Sequence, residues 1–275
     1  MSSLSEPALD DLWSGLVDDA AIFPPGDAPL SEATAAYAAR TAEQGAGIVG
    51  TFVLRDTDLP QVRGFDAPLS VVVTGGAGQL AGPAALCERL GLRLAGLEVA
   101  LRDLDDLAGN ARRVIAAVDA ARAEGSLDDD VPVHVELPQV EPGHSWRQAA
   151  DEVAGAELRL KLRTGGVEAH QVPSSATLAA WIDAALDRET PFKCTAGLHH
   201  AVRHDSGHGF LNVLAATRLA FDGAPHDEVV ATLEERDGSV LAARGLTGTR
   251  RWFTSFGSCS VAEPLADLRT LGLVP

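Results

Sequence analysis

The chain has 275 residues, 46% of them apolar, enough to bury the core of one large domain, and it carries a formal net charge of −17 with a sequence pI near 4.7. So acidic a surface repels phosphate backbones and anionic lipid, which argues against nucleic-acid and membrane partners, and no stretch reads as a transmembrane span. The first residues lack the basic-then-apolar order of a secretory signal, and the three scattered cysteines (Cys87, Cys194, Cys259) form no CxxC, so a cytoplasmic setting is expected.

Residues 8–17 have the spacing of a short amphipathic helix, and 20–25 (Ala-Ala-Ile-Phe-Pro-Pro) read as a first strand stopped by its prolines. Residues 31–45 combine an N-cap serine, alanines at helical spacing and a closing glycine. A second strand over 47–54 and a weak helical segment near 59–64 follow. The alternation then becomes regular: strands over 69–76, 94–101, 131–138, 158–166 and 192–200, separated by helices over 78–91, 105–124, 145–155 and 174–188. Beyond 200 come helices over 208–221 and 226–236, a Gly-rich stretch to Gly248, a strand over 252–260 and a last helix over 261–271.

Eight strands alternating with helices imply a parallel sheet, and their number suits a (β/α)8 TIM barrel occupying 1–275 as a single domain. The segment 204–250 is long enough to form a lid or insertion after the seventh strand. An open doubly wound sheet is the runner-up, but no GxGxxG follows the first strand.

In the 158–166 run, Leu158, Leu160 and Leu162 alternate with Arg159, Lys161 and Arg163, and in the 192–200 run Phe192, Cys194 and Ala196 alternate with Lys193 and Thr195. A barrel strand packs its outer face on helices, so the polar side chains have to point inward. The same alternation turns Glu98, His134 and Glu136 inward from the fourth and fifth strands. Buried lysines without partners cost several kcal/mol, so these groups are expected to form a paired network near the C-terminal mouth. Arg163 lies roughly 6–7 Å beyond Lys161 on one face. Such a cation, with desolvation, is expected to favour the neutral amine, a nucleophile for carbonyl carbon.

The blocks Lys161-Leu-Arg-Thr-Gly-Gly166, Val172-Pro-Ser-Ser-Ala-Thr177 and Phe192-Lys-Cys-Thr-Ala-Gly197 resemble the sixth and seventh strands of Schiff-base aldolases of the deoxyribose-phosphate aldolase type. The resemblance implies that Lys161 forms the imine and Lys193 tunes it and moves protons, and it sets Glu98 loosely in place of the strand-four aspartate. The chain departs from that family at Leu162-Arg163 and at Leu198-His199-His200. The blocks at 162–166, 195–200 and 255–260 also resemble an uncharacterised bacterial and plant family.

Glu136, His199 and His200 are candidate acids or bases. Arg163, Thr195, Glu98, Gly197, Gly257 and Ser258 are candidate substrate contacts, the last two because strand ends followed by a helix often bind phosphate or carboxylate. The imine chemistry requires no cofactor. An alternative is a hydrolase or lyase holding a divalent metal such as zinc on His199, His200, His204 and His208. A third reading is a barrel that only binds a small anion. The expected partner is a small carbonyl-bearing anionic substrate, self-association into a homo-oligomer stays open, and Asp18 and Asp19 enter the mouth or cap the barrel bottom.

Overall fold

The computed structural model describes residues 10–40, 45–205 and 207–275, and in it eight parallel strands close into a barrel in chain order. They are β1 (Val17–Asp19), β2 (Val49–Arg55), β3 (Pro68–Val73), β4 (Arg93–Ala100), β5 (Val133–Glu136), β6 (Arg159–Arg163), β7 (Phe192–Thr195) and β8 (Phe253–Ser258). Because β1 pairs with both β2 and β8, no strand edge is left open. This is the (β/α)8 architecture that the alternation of elements predicts.

Helices cover the outside: α1 (Leu30–Arg40), α2 (Ala81–Leu90), α3 (Leu107–Ala123), α4 (His144–Gly155), α5 (Ser175–Leu186), α6 (Phe210–Phe221), α7 (His226–Glu234), α8 (Gly238–Ala242) and α9 (Ala262–Thr270). Short side-chain oxygens start three of them, Asp237 accepting from the Ser239 amide at the head of α8. Asp106 accepts from the Gly109 amide at 2.8 Å, and Ser174 accepts from the Thr177 amide at 3.0 Å, each satisfying one of the free N–H groups of a first turn. Between β2 and β3 the weak helical segment is a 3-10 stretch, Asp56–Val62, with Pro60 inside it. Part of the 204–250 segment packs as an ordinary barrel helix, since the first eight residues of α6 are all buried.

The start of the barrel departs from expectation. Residues 10–16 form turns in place of a helix, and residues 8–9 and 41–44 lie outside the described residues. Gly15 stands at φ +59, which breaks a helix there, while Trp13 and Leu16 are held in the core. The first strand is Val17–Asp19, and 20–25 is a turn. Two adjacent aspartates form a buried strand only because each finds partners: Arg40 bonds Asp19 at 2.6 Å, and Asp18 faces the barrel interior.

The period-two pattern holds on β6 and β7. Leu160, Leu162, Phe192 and Cys194 are buried in the apolar core, each large aliphatic or aromatic side chain contributing about 1.5–3 kcal/mol. Past the strand ends, β6 and β7 run on in very close contact. A Cβ on Gly165 would meet the Gly197 Cα at 2.9 Å, and Gly197 itself stands at φ +84, so both positions require glycine.

Candidate active site

Strand register builds the site. Lys161 on β6 is level with Glu136 on β5 and with Lys193 on β7, and Lys193 is level with Ser255 on β8. Glu98 on β4 is level with His134, one step deeper. These side chains meet inside the barrel. Lys161 Nζ lies 2.8 Å from Glu98 Oε2 and 2.8 Å from Glu136 Oε2, while Lys193 Nζ lies 2.7 Å from Glu98 Oε1 and 2.7 Å from Asp18 Oδ2.

Hydroxyl and amide donors hold the carboxylates in turn. Ser70 Oγ donates to Glu98 at 2.7 Å, Ser255 Oγ donates to Asp18 at 2.7 Å, and the Thr51 hydroxyl and amide donate to the other Asp18 oxygen at 2.7 and 3.1 Å. The network is graded in access. The Lys193 side chain is 2% exposed, that of Lys161 9%, and that of Glu136 19%, so the lysine nearer solvent is Lys161.

Charge decides the protonation states. Burial alone would push both lysines toward the neutral form, but Glu98 and Glu136 outweigh it and raise Lys161, and Asp18 and Glu98 do the same for Lys193. Burial likewise pushes the Glu98 carboxyl up, and the two ammonium groups bring it well below the usual range. The expectation that Arg163 keeps Lys161 neutral is therefore corrected. Carboxylates from neighbouring strands lie within hydrogen-bonding distance of the amine, and they govern it in place of a cation further along the same strand.

The remaining candidates divide. His134 faces inward but neither ring nitrogen has a partner among the described residues, and burial, with Lys193 next, pushes it down to about 3. The buried Thr195 hydroxyl is also unpartnered. His199 sits on the β8 rim, 3.3 Å from Ser258 Oγ, 3.7 Å from Cys259 Sγ and 3.5 Å from Glu263. Gly257 is level with Thr195 and Asp18 at the same mouth. His200 is not brought to the lysines: it pairs with Asp267 at 3.1 Å and lines an outer groove of ≈ 370 Å³ with His204 and Arg236.

The histidine metal site does not assemble, and among the described residues no three His, Cys, Asp or Glu side chains converge as one. His208 is buried elsewhere, bonded to the Pro173 carbonyl at 2.8 Å and to Arg203 at 3.1 Å, and His200 and His204 pack ring against ring at 4.3 Å.

Thr51, Ser70 and Ser255 were not singled out from sequence, and for Asp18 the sequence left open whether it enters the mouth or caps the barrel bottom, where the structure sets it inside against Lys193. The signal for Asp18 was a deficit: two buried lysines call for more carboxylate than Glu98 and Glu136 supply. A plainer signal is that Lys161 and Lys193 are the only two lysines among the 22 Lys and Arg of the chain. Arginine serves every other cationic position, and a guanidinium cannot give up its proton to act as a nucleophile.

No protein-family model matches the sequence, and no curated protein matches it significantly. Among solved structures, the chain is similar to a deoxyribose phosphate aldolase from Aeropyrum pernix, described as having a unique tetrameric structure. The likeness covers 94% of this chain and 92% of that one, with a TM-score of 0.58 at 11% identity. Among the described residues no helix is long and apolar enough to cross a membrane. The resemblance first visible in two strands thus extends, as a likeness of fold, over nearly the whole barrel.

Proposed function

We propose that the chain is a lyase of the Schiff-base aldolase kind, acting on a small carbonyl compound through an imine on Lys161. The observation that carries this reading is the placement of the two lysines: side by side on β6 and β7, sharing Glu98, with Lys161 toward the mouth and Lys193 sealed beneath.

The ammonium of Lys161 first loses a proton to Glu136, the carboxylate of the group with the most exposed side chain. The neutral amine adds to the carbonyl carbon, and the carbonyl oxygen, protonated by the proton that Glu136 took up, leaves as water, giving a protonated imine. That iminium is a cation standing where the ammonium stood, so Glu98 and Glu136 stabilise it without rearranging. In the cleavage direction a carboxylate takes the proton of a hydroxyl on the second carbon from the iminium carbon. The carbon–carbon bond breaks toward the iminium, and an aldehyde or ketone departs from the resulting enamine. Protonation of the enamine carbon and addition of water then free the second product and the amine.

Lys193 stays an ammonium between Asp18 and Glu98, a fixed charge that orients Glu98 and restrains its basicity. His199 serves proton exchange at the rim, and Gly197, Gly257 and Ser258 give the rest of the substrate room there.

Borohydride reduction in the presence of aldehydes, ketones and 2-oxo acids tests the reading. A stable mass increase on the peptide holding Lys161, abolished in Lys161→Met and reduced in Lys193→Met, is the expected result. Absence of any adduct, or an adduct confined to Lys193, overturns it and leaves a barrel that binds a small anion.

A further inference from the structure

Arg163 follows Lys161 by two residues on the interior face of β6, nearer the mouth, and is half-buried. Among the described residues its guanidinium has neither a hydrogen-bond nor an ion-pair partner. Arg159 and Arg244 are likewise half-buried and unpaired among the described residues, whereas Arg40, Arg188 and Arg203 are each taken up by a carboxylate. Of the three half-buried, unpaired guanidiniums only Arg163 follows Lys161 toward the mouth. A partly desolvated guanidinium left unpaired is a cost that a bound anion removes. Level with Arg163 on β7 stands Thr195, whose shielded hydroxyl is unpartnered as well. Adjacent strands are about 4.8 Å apart, so one small anion can reach both groups.

We infer that the substrate is a 2-oxo acid, its carboxylate held by Arg163 with the Thr195 hydroxyl while its carbonyl carbon meets Lys161. The inference rests on Lys161 as the imine lysine and adds the chemical class. Arg163 is the next inward residue after Lys161 on the same strand, so an anion it holds lies beside the reacting carbon, and a carboxylate borne on that carbon places the anion there with the fewest intervening bonds. The planar guanidinium fork also matches a carboxylate's two oxygens, which a lysine at this place would not.

Two measurements separate this inference from the imine reading. Titration calorimetry with oxamate, which resembles a 2-oxo acid but forms no imine, reads the anion site alone. Wild type binds it, Arg163→Gln binds about tenfold to a hundredfold more weakly, and Arg163→Lys recovers part of the loss, with melting curves showing that both variants fold. Borohydride trapping with pyruvate against acetone reads the reacting site. Wild type traps pyruvate in preference, and Arg163→Gln loses that preference, read as the ratio of pyruvate to acetone trapping within each variant. Oxamate affinity that is absent, or indifferent to Arg163, overturns the inference, and so does equal trapping of pyruvate and acetone. If no carbonyl is trapped yet oxamate binding depends on Arg163, the imine falls and the carboxylate site stands.

Discussion

Lys161 and Lys193 divide a single carboxylate between them, one oxygen of Glu98 to each amine, at 2.8 and 2.7 Å. Two ammonium groups on neighbouring strands repel each other, and Glu98 between them converts that repulsion into two short ion pairs. Neither lysine can change its charge or position without the other sensing it through the same carboxylate.

Replacing Glu98 by Gln keeps the shape and removes the shared charge. It leaves buried ammonium groups with fewer counter-charges, and breaking a buried ion pair by deleting one partner costs about 3–5 kcal/mol. Urea unfolding of Glu98→Gln at neutral pH is expected to show a loss of that size. A loss under ~1 kcal/mol means that Asp18 and Glu136 suffice.

The Lys161 amine is raised above its ordinary 10.5 by Glu98 and Glu136. Its contribution to stability is therefore full below 10.5 and fades as pH climbs through the raised folded value. The neutral amine, and with it the rate of borohydride trapping, grows along the same alkaline limb. Glu136→Gln removes one of the raising charges, so its trapping limb moves to lower pH. A limb that stays in place, or moves up, would show that Glu136 does not set this amine's protonation.

His134 titrates in the unfolded chain near 6.5 and in the folded chain near 3. As pH falls through that window the unfolded state takes up the proton first, and stability declines by up to about 1.4 kcal/mol per pH unit. His134→Leu lacks this slope, and it sheds two unpartnered ring nitrogens, so at pH 7 it is expected to match or exceed wild type. Denaturant unfolding between pH 7 and 4 compares the two slopes. Parallel curves would refute the assignment of a dry, neutral imidazole.

Gly165→Ala places a methyl carbon 2.9 Å from the Gly197 Cα, a contact that backbone cannot relieve without moving β6 and β7 apart. Overpacking of this kind costs about 1–3 kcal/mol. Because Lys161 and Lys193 sit on those strands, imine trapping is expected to fall further than stability does. Thermal melting paired with the trapping rate tests this, and equal falls would argue against a shared geometric cause.

The closed barrel was legible because seven of its strands carry apolar runs or alternation, and the inward set of Glu98, Glu136, Lys161 and Lys193 followed from a period of two on strands covered outside. β1 was not legible. It is three residues long, two of them aspartates, and its apolar neighbours at 20–25 imitate a strand while forming a turn. Ser70, Thr51 and Ser255 were hidden because a hydroxyl's role depends on which carboxylate it meets across the interior, and that is fixed by register between strands far apart in sequence. The charge of Lys161 escaped for the same reason: its strand offers Arg163, but its spatial neighbours are acids.

Both lysines lie enclosed in the barrel, and the chain has no others, so the folded exterior presents no ε-amine at all. Acylating and carbamylating reagents, which decorate most proteins all over their surface, should here modify side-chain amines only as fast as small molecules enter the mouth or the barrel opens. The extent of labelling then becomes a direct gauge of occupancy: a ligand seated over Lys161 should protect the whole protein's complement of ε-amines at once.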